Sequence, residues 1–205
     1  MSVPVPVRHR RVGGVTITFV SLILASASPR RAELLDTAGF SFTVQVADVD
    51  ETPMSGEAPE AYVVRVARAK AQAVAARCRK SGNIVLAADT TVVAEGQILG
   101  KPESRDDAVR MLKMLSGAVH DVFTGVVVLT EGRVLMEVVR TRVRLLPITM
   151  DEITWYIDTG EAEGKAGAYG IQGRAARFID WIEGSWSNVV GLPLATVHQM
   201  LQKVS

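Results

Sequence analysis

Residues 17–25 form an apolar stretch of strand character that ends at small residues and is followed at once by a helix start. Ser28 is a favourable N-cap residue, and Pro29 suits the first helical position. Strand and helix signals then alternate along the rest of the chain. This alternation predicts an α/β fold, with a central mixed β-sheet flanked by helices and a second lobe that the hairpins could form.

Hydrophobic periodicity and turn residues place the other elements. We predict strands at 42–46, 84–88 and 175–182, and hairpins that join 90–94 to 97–99 and 120–130 to 133–145. We predict helices at 29–38, 60–79 and 194–204, one that Ser104 caps, and one that runs from a Thr149–Glu152 capping box to about Gly160. A glycine-rich segment, 160–173, follows that last helix.

The composition bounds the class of protein. Of the 205 residues, 48% are hydrophobic and 22% are charged, so a sizeable core can form. We expect residues 17–205 to be one domain, preceded by a flexible N-terminal extension at 1–16. The net charge of +1 and the 5% aromatic content do not indicate nucleic-acid binding. Cys78 is the only cysteine, which excludes an internal disulfide and agrees with a cytoplasmic protein.

Residues 8–27 also resemble a secretory signal, because basic residues precede an apolar stretch with a small-x-small end. Cleavage after Ala27 would remove the predicted first strand. Thr16, Thr18 and Ser21 interrupt the apolar stretch, which is too short and too polar to span a bilayer. We therefore expect a strand here, and no membrane segment.

Arg30 and Arg31 follow the helix start directly. The first N–H groups of a helix are unpaired and lie at the positive end of its dipole. Two guanidinium groups at that point add fork-shaped donors that suit phosphate. The junction between the first strand and the first helix is therefore a predicted site for a phosphate-rich anion.

Asp89 comes directly after the apolar stretch 84–88, which we expect to be a buried strand. Open α/β sheets place their ligands where strands end. Asp89 could be a general base or a ligand for a divalent cation, with Thr90 and Thr91 beside it. It could also cap a turn.

Asp48, Asp50 and Glu51 form a second acidic group. Such clusters usually lie solvated in loops, but carboxylate oxygens also bind Mg²⁺ or Mn²⁺ and share them with substrate phosphates. Both interpretations are open at this point.

Two lysines have unusual contexts. Lys70 lies three or four residues from Ala67, Val66 and Val74, and seven from Val63, on the predicted core-facing side of its helix. It must therefore snorkel or meet an anion. Lys101 lies in a stiff loop between Gly100 and Pro102, where it is either a turn residue or a ligand-binding cation.

Residues 169–173, with the sequence YGIQG, place Tyr169 and Gln172 between glycines. Glycine lets a backbone approach a ligand closely, and a glutamine amide can hydrogen-bond the edge of a nucleobase. The three histidines have no metal-ligand spacing, and the chain contains no P-loop motif.

Taken together, these segments resemble the Maf family of nucleoside triphosphate pyrophosphatases. The resemblance covers about 21–201 and rests on six motifs in the family's order. They are LASASPRR at 24–31, ARAKA at 67–71, ADT at 88–90, GKP at 100–102, KAGAYGIQG at 165–173 and NVVGLP at 188–193. Each is weak alone, but the ordered set is specific.

The resemblance implies hydrolysis between the α- and β-phosphates of a nucleoside triphosphate, which yields a monophosphate and pyrophosphate. It implies an elongated Maf/Ham1-like (ITPase-like) fold, a divalent cation (Mg²⁺ or Mn²⁺), a cytoplasmic location and a homodimer. The YGIQG form resembles the subgroup that acts on dTTP and UTP, whereas the subgroup for 7-methyl-GTP usually has Glu in place of Gln172.

The resemblance also implies a role for each motif residue. Asp89 takes the catalytic acid–base position. Positions linked to substrate choice are Arg30, Thr90 and Gln172. Positions that handle phosphate or metal are Ser26, Arg31, Glu51, Lys70 and Lys101, with Asp89 as a second metal ligand.

Two other functions stay open from the sequence alone. One is a nucleotide-binding regulator of cell division or septum formation without turnover. The other is the same hydrolysis acting on modified nucleotides, so that non-standard bases are kept out of nucleic acids.

Overall fold

A computed structural model of the protein describes residues 11–12, 15–16, 21–78 and 82–204. Most of the predicted N-terminal extension, and the first four residues of the strand predicted at 17–25, lie outside the described residues. Within the extension, the backbone of β1 (Arg11–Val12) pairs antiparallel with that of β2 (Val15–Thr16).

The centre of the protein is a seven-stranded mixed sheet in the order β4-β3-β5-β7-β8-β9, with β6 paired to β5. Both predicted hairpins belong to this same sheet. Its strands are β3 (Ser21–Leu24), β4 (Phe42–Val44), β5 (Asn83–Ala94), β6 (Gln97–Leu99), β7 (Val119–Leu129), β8 (Val134–Leu145) and β9 (Ile179–Glu183).

The helices begin and end close to the predicted positions. Two of the three predicted caps are formed: the Ser104 side chain accepts from the Asp107 N–H, and both bonds of the Thr149–Glu152 capping box are present. No helix within the described ranges is long and apolar enough to cross a membrane. The helices are α1 (Pro29–Thr37), α2 (Pro59–Arg77), α3 (Arg105–Leu115), α4 (Met150–Asp158), α5 (Trp186–Val190) and α6 (Leu194–Gln202).

Helix α5 and the start of β9 differ from the prediction. We predicted no helix at 184–193, but the Ser185 side chain accepts from the Asn188 N–H and starts the short helix α5. The strand predicted at 175–182 begins only at Ile179, because Arg174–Phe178 is a 3₁₀ helix. Three residues per turn bring Ala175 and Phe178 to the same side, where both are buried.

Helices cover both faces of the sheet. On one face α2 packs against β5 and β7 so closely that a Cβ on Gly125 would lie 2.5 Å from the Val63 carbonyl oxygen. Glycine at this position is what allows the helix to approach the sheet. On the other face α1 and α6 bury Leu35, Val197 and Met200 against the sheet.

A gap in the pairing of β5 creates the space for a ligand. On one side β7 pairs with β5 from Val85 to Val93 without a break. On the other side β3 pairs only as far as Leu86, and β6 begins only at Val92. Residues 87–91 of β5 therefore have no strand beside them on that side within the described chain, and Asp89 is at the centre of this gap.

The position of Asp89 corrects the sequence-based expectation. We placed it at the end of a strand, because it directly follows the apolar stretch 84–88. It lies instead in the middle of the twelve-residue strand β5, directly opposite Gly125 on β7. The strand that ends near Asp89 is β3, the neighbour of β5, and not β5 itself.

Candidate active site

A cavity of about 550 Å³ opens at the gap beside β5. The end of β3, the start of α1, the middle of β5, the loops after β4 and β6, and the glycine-rich segment all contribute to its wall. All the residues to which the family resemblance assigns a role line this one cavity. They are Ser26, Arg30, Arg31, Glu51, Lys70, Asp89, Thr90, Lys101 and Gln172.

The floor of the cavity is a cluster of one lysine and two carboxylates. Lys70 Nζ lies 2.7 Å from Asp89 Oδ1 and 2.8 Å from Glu51 Oε1. Lys70 and Asp89 are only 7% and 5% exposed. Buried charges of this kind are stable only when they are paired. The anion that the sequence required for Lys70 is thus this pair of carboxylates.

The two carboxylates have pKa values that move in opposite directions. Burial raises the pKa of Asp89, although the positive charges of Lys70 and Arg31 oppose the rise. Burial also acts to raise the pKa of Glu51, but the hydrogen bond and charge of Lys70, with the charge of Lys101, outweigh it and lower the pKa. Neighbouring acids with divergent pKa values are typical of acid–base sites.

Arg31 connects three separate parts of the chain. Its Nε donates to the Gly191 carbonyl oxygen (2.8 Å), its Nη1 to Ser26 Oγ (3.2 Å) and its Nη2 to Thr90 Oγ1 (3.0 Å). Burial lowers the pKa of the guanidinium. We expected Arg30 and Arg31 to face an anion as a pair, but most donors of Arg31 are used within the protein.

Ser26, and not Ser28, organises the start of α1. The Ser28 side chain makes no capping bond, which contradicts the predicted N-cap interaction, although Pro29 does occupy the first turn. Instead, Ser26 Oγ accepts from the Ser28 N–H at 3.1 Å as well as from Arg31. The loop before α1 is thereby held against the Arg31 guanidinium.

Thr90 links β5 to the neighbouring strand. Its Oγ1 lies 2.9 Å from Thr124 Oγ1 on β7 and 3.3 Å from the Gly191 carbonyl oxygen. Thr124 in turn bonds the Asn188 carbonyl oxygen on α5 at 3.3 Å. Thr90 is therefore part of the same network that fixes Arg31.

The polar residues at the mouth of the cavity have few partners. The Lys101 side chain is 66% exposed, and its Nζ is 3.7 Å from Glu51 Oε2. Arg30 is half-buried and Gln172 is exposed, and neither side chain forms a hydrogen bond or ion pair with another described residue. These groups are free to bind a ligand.

The loop that carries Glu51 is fastened to α2 by residues that we did not predict. The Tyr62 hydroxyl donates to the Glu51 carbonyl oxygen at 2.9 Å, and Arg65 Nη2 donates to that of Thr52 at 2.9 Å. Arg65 also pairs with Glu57 at 2.7 Å. Tyr62 precedes Lys70 by eight residues on the same face of α2, a spacing that could have revealed it.

Asp48 and Asp50 do not join the site. Both are exposed, and neither lines the cavity. Asp50 Oδ1 accepts from the Thr52 N–H at 2.9 Å, which lowers the pKa of Asp50 through hydrogen bonding. Of the acidic group at 48–51, only Glu51 faces the cavity.

The donor set can be tested for a divalent cation. The described residues contain no group of three or more His, Cys, Asp or Glu side chains that could hold a metal ion. Two carboxylates, Glu51 and Asp89, do line the cavity together. Mg²⁺ is commonly bound by one or two carboxylates while substrate phosphates and water supply its other ligands. The residues present fit that arrangement.

Comparison with known sequences identifies the family of the chain. The family model for Maf-like proteins matches residues 21–204. A dTTP/UTP pyrophosphatase of Geotalea uraniireducens (strain Rf4) is 54% identical over 187 residues, which cover 90% of this chain and 95% of that protein. A dTTP/UTP pyrophosphatase of Myxococcus xanthus (strain DK1622) is 50% identical, with 89% and 91% covered. The chain belongs to the Maf family.

A solved structure of a HAM1 protein from Coxiella burnetii also matches. It has a TM-score of 0.41 and 16% sequence identity, and the match covers 62% of this chain and 73% of that chain. The family assignment rests on the family model and on the relatives that are about half identical.

Proposed function

We propose that this protein is a nucleoside triphosphate pyrophosphatase that hydrolyses dTTP and UTP to the monophosphate and pyrophosphate. The observation that carries the proposal is the buried Lys70–Asp89 pair, joined by the half-buried Glu51, on the floor of a cavity lined by further cations. Relatives of about 50% identity that span nearly the whole chain are dTTP/UTP pyrophosphatases, which supports the choice of substrates.

Asp89 is the proposed general base. Lys70 holds Asp89 Oδ1, which fixes the carboxylate and leaves Oδ2 to take a proton from water as the water attacks the α-phosphorus. A base works best when its pKa lies near the working pH, and burial moves the pKa of Asp89 in that direction. The proton goes to Asp89, and the bond between the α-phosphorus and the bridging oxygen breaks to release pyrophosphate.

The cations of the cavity divide the work of binding the triphosphate. Arg30 and Lys101, which are accessible, contact the phosphate oxygens and offset the charge that develops on the departing pyrophosphate. Arg31 holds Ser26 and Thr90 in place through its hydrogen bonds. The positive charge of Arg31 also contributes to the electrostatic potential at the floor of the cavity.

Glu51 and Asp89 would hold a divalent cation, Mg²⁺ or Mn²⁺, together with oxygens of the substrate. When bound, such an ion polarises phosphoryl oxygens and stabilises negative charge. The positive charge of Lys70 offsets the repulsion between the two carboxylates, and its two ion pairs hold both of them at the floor of the cavity.

The test is pyrophosphate release by the purified protein with Mg²⁺ or Mn²⁺ and each of dTTP, UTP, CTP, GTP, ITP and 7-methyl-GTP. We expect release from dTTP and UTP well above release from the others. Release from a modified or purine nucleotide alone would keep the chemistry and overturn the substrate. Tight nucleotide binding without release from any of them would favour a regulator and overturn the enzyme.

We also propose that the protein acts in the cytoplasm as a homodimer. The single cysteine, Cys78, is compatible with a reducing compartment, and the family resemblance implies the dimer. Light scattering coupled to gel filtration distinguishes a dimer from a monomer at assay concentrations.

A further inference from the structure

The segment from Tyr169 to Arg174 carries Gln172 to the cavity wall. Gly170 and Gly173 flank the exposed Gln172, and the Gly173 N–H donates to the Gly170 carbonyl oxygen at 3.2 Å to form a tight turn. Ile171 is buried in the core at 8% exposure. The turn thus presents one flexible polar side chain from a backbone that is itself packed.

The first anchor of this turn is a buried hydrogen bond beneath it. The Tyr169 hydroxyl lies 2.7 Å from His120 Nε2 on β7, and the two rings meet edge to face with centroids 5.4 Å apart. His120 is 2% and Tyr169 is 5% exposed. His120 does not line the cavity, so it touches the site only through Tyr169.

Burial keeps both partners of this hydrogen bond neutral. Burial lowers the pKa of His120 to about 4 and raises the pKa of Tyr169. At neutral pH a neutral imidazole therefore meets a protonated phenol, and the tautomer of His120 sets which of the two donates. In a buried setting an unmade bond would leave a desolvated polar group, which makes the anchor costly to break.

The second anchor holds the other end of the turn. Glu161 Oε2 accepts from the Arg174 backbone N–H at 2.7 Å, and Glu161 Oε1 pairs with Arg174 Nη1 at 3.2 Å. A Cβ on Gly173 would lie 2.0 Å from Glu161 Oε2. The carboxylate thus lies directly against the turn, and Glu161 does not line the cavity either.

We propose that His120 and Glu161 are positioning residues that set the nucleobase selectivity of the enzyme by fixing the turn that presents Gln172. A side chain on a mobile turn can adapt to several bases, whereas one on a turn held at both ends offers its hydrogen-bonding groups in a single geometry. This inference rests on the proposed function, because it requires that the cavity binds a nucleotide.

The experiment measures kcat and KM for UTP and CTP, which have the same sugar and triphosphate and differ only in the base. In Tyr169→Phe, which removes only the hydroxyl, we expect the UTP:CTP ratio of kcat/KM to fall about five-fold, as for one lost hydrogen bond. The change should appear in KM for UTP, with kcat within about two-fold of the wild type. Glu161→Ala should lower the ratio similarly, and Glu161→Gln, which keeps an acceptor, should restore most of it.

A double-variant comparison isolates the first anchor. If His120 acts through Tyr169, then His120→Phe with Tyr169→Phe should lower the ratio no further than either single change. Met200→Ala serves as the matched control, because it removes a buried side chain on α6 away from the cavity. It should reduce stability and leave the ratio unchanged.

The outcomes separate the two proposals. An unchanged UTP:CTP ratio in both Tyr169→Phe and Glu161→Ala, with UTP still hydrolysed, overturns the positioning role and leaves the enzyme assignment intact. A ratio that falls equally in Met200→Ala also overturns it, because general destabilisation then explains the change. Failure of the wild-type protein to hydrolyse any nucleoside triphosphate overturns the proposed function first.

Discussion

The floor and the mouth of the cavity hold their charges in different ways. On the floor, Lys70, Asp89 and Glu51 are paired with one another, and Arg31 donates to three oxygens of the protein. At the mouth, Arg30 has no ion-pair partner in the described chain and Lys101 is mostly exposed. Both regions are strongly polar, but only the floor is organised before a ligand arrives.

Burial explains the difference. A charge removed from water must find a partner, so the floor is rigid and its groups keep a defined geometry and pKa. Exposed charges are solvated and contribute little to stability, so the mouth can exchange water for phosphate oxygens. Substitutions on the floor should therefore affect catalysis or folding, and those at the mouth should affect binding.

The largest effect is expected for Asp89→Asn. An amide cannot accept the proton of the attacking water, so kcat for dTTP should fall about 10²–10⁴-fold while the nucleotide still binds. Pyrophosphate release and equilibrium binding of dTTP measure the two effects. The matched control is Asp121→Asn on β7, which removes a half-buried partner of the exposed Arg140 and should change kcat less than about two-fold. Near-normal turnover in Asp89→Asn would exclude it as the base.

A somewhat smaller effect is expected for Lys70→Met. Loss of the ammonium removes the positive charge that opposes the rise in the pKa of Asp89, so that pKa should rise further. Because the base must be ionised, the acid limb of the kcat/KM profile should move to higher pH, and the rate at pH 7 should fall about 10²-fold. Lys113→Met, which changes an exposed lysine on α3, is the control. An acid limb that stays in place would contradict the coupling of Lys70 to Asp89.

The two adjacent arginines at the start of α1 provide a direct test of the difference between the floor and the mouth of the cavity. Arg31→Gln loses three hydrogen bonds and should lower the free energy of unfolding by about 3 kcal/mol. Arg30→Gln should leave stability unchanged and raise KM for dTTP about ten-fold, as for one phosphate contact. Urea unfolding and steady-state kinetics on both variants measure the contrast. If Arg30→Gln were the more destabilising change, the division between floor and mouth would be wrong.

The smallest effect is expected for Gln172→Glu at the mouth. A carboxylate only accepts hydrogen bonds, whereas the amide also donates. The ratio of kcat/KM for UTP to that for GTP should fall about five-fold, and stability should not change, since the side chain is exposed without a described partner. Glu163→Gln, a change at an exposed position on the same glycine-rich segment, is the control. An equal ratio in wild type and Gln172→Glu would exclude base recognition at this position.

Local signals predicted most of the elements. The Ser104 cap and the Thr149–Glu152 capping box were confirmed because a capping interaction spans only three residues. Lys70 was identified as a residue that must snorkel or meet an anion because helical periodicity placed it among Val66, Ala67 and Val74. In both cases the relevant neighbours are close in sequence, so the pattern contains the information.

Long-range contacts account for the errors. Asp89 lies within β5 because β7, more than thirty residues later, pairs along the whole strand, and its charge is tolerated because Lys70 approaches from α2. Arg31 is turned inward by a carbonyl oxygen that is 160 residues away. The predicted N-cap role of Ser28 was also wrong, because Ser26 Oγ accepts from the Ser28 N–H and from Arg31 at the start of α1.

The sequence by itself determined the α/β class, the positions of most helices and strands, and the set of polar residues that the cavity gathers, because these depend on periodicity, caps and motif order. Only the tertiary structure decided which of those residues are paired and which are free. Lys70, Asp89 and Arg31 are buried beside the gap in β5, where Lys70 pairs with Asp89 and with the half-buried Glu51, and Arg31 donates to oxygens of the protein. Arg30, Lys101 and Gln172 remain in contact with solvent. The ion pairs and hydrogen bonds of these side chains depend on which distant segments the folded backbone brings together, and a local sequence pattern does not contain this information.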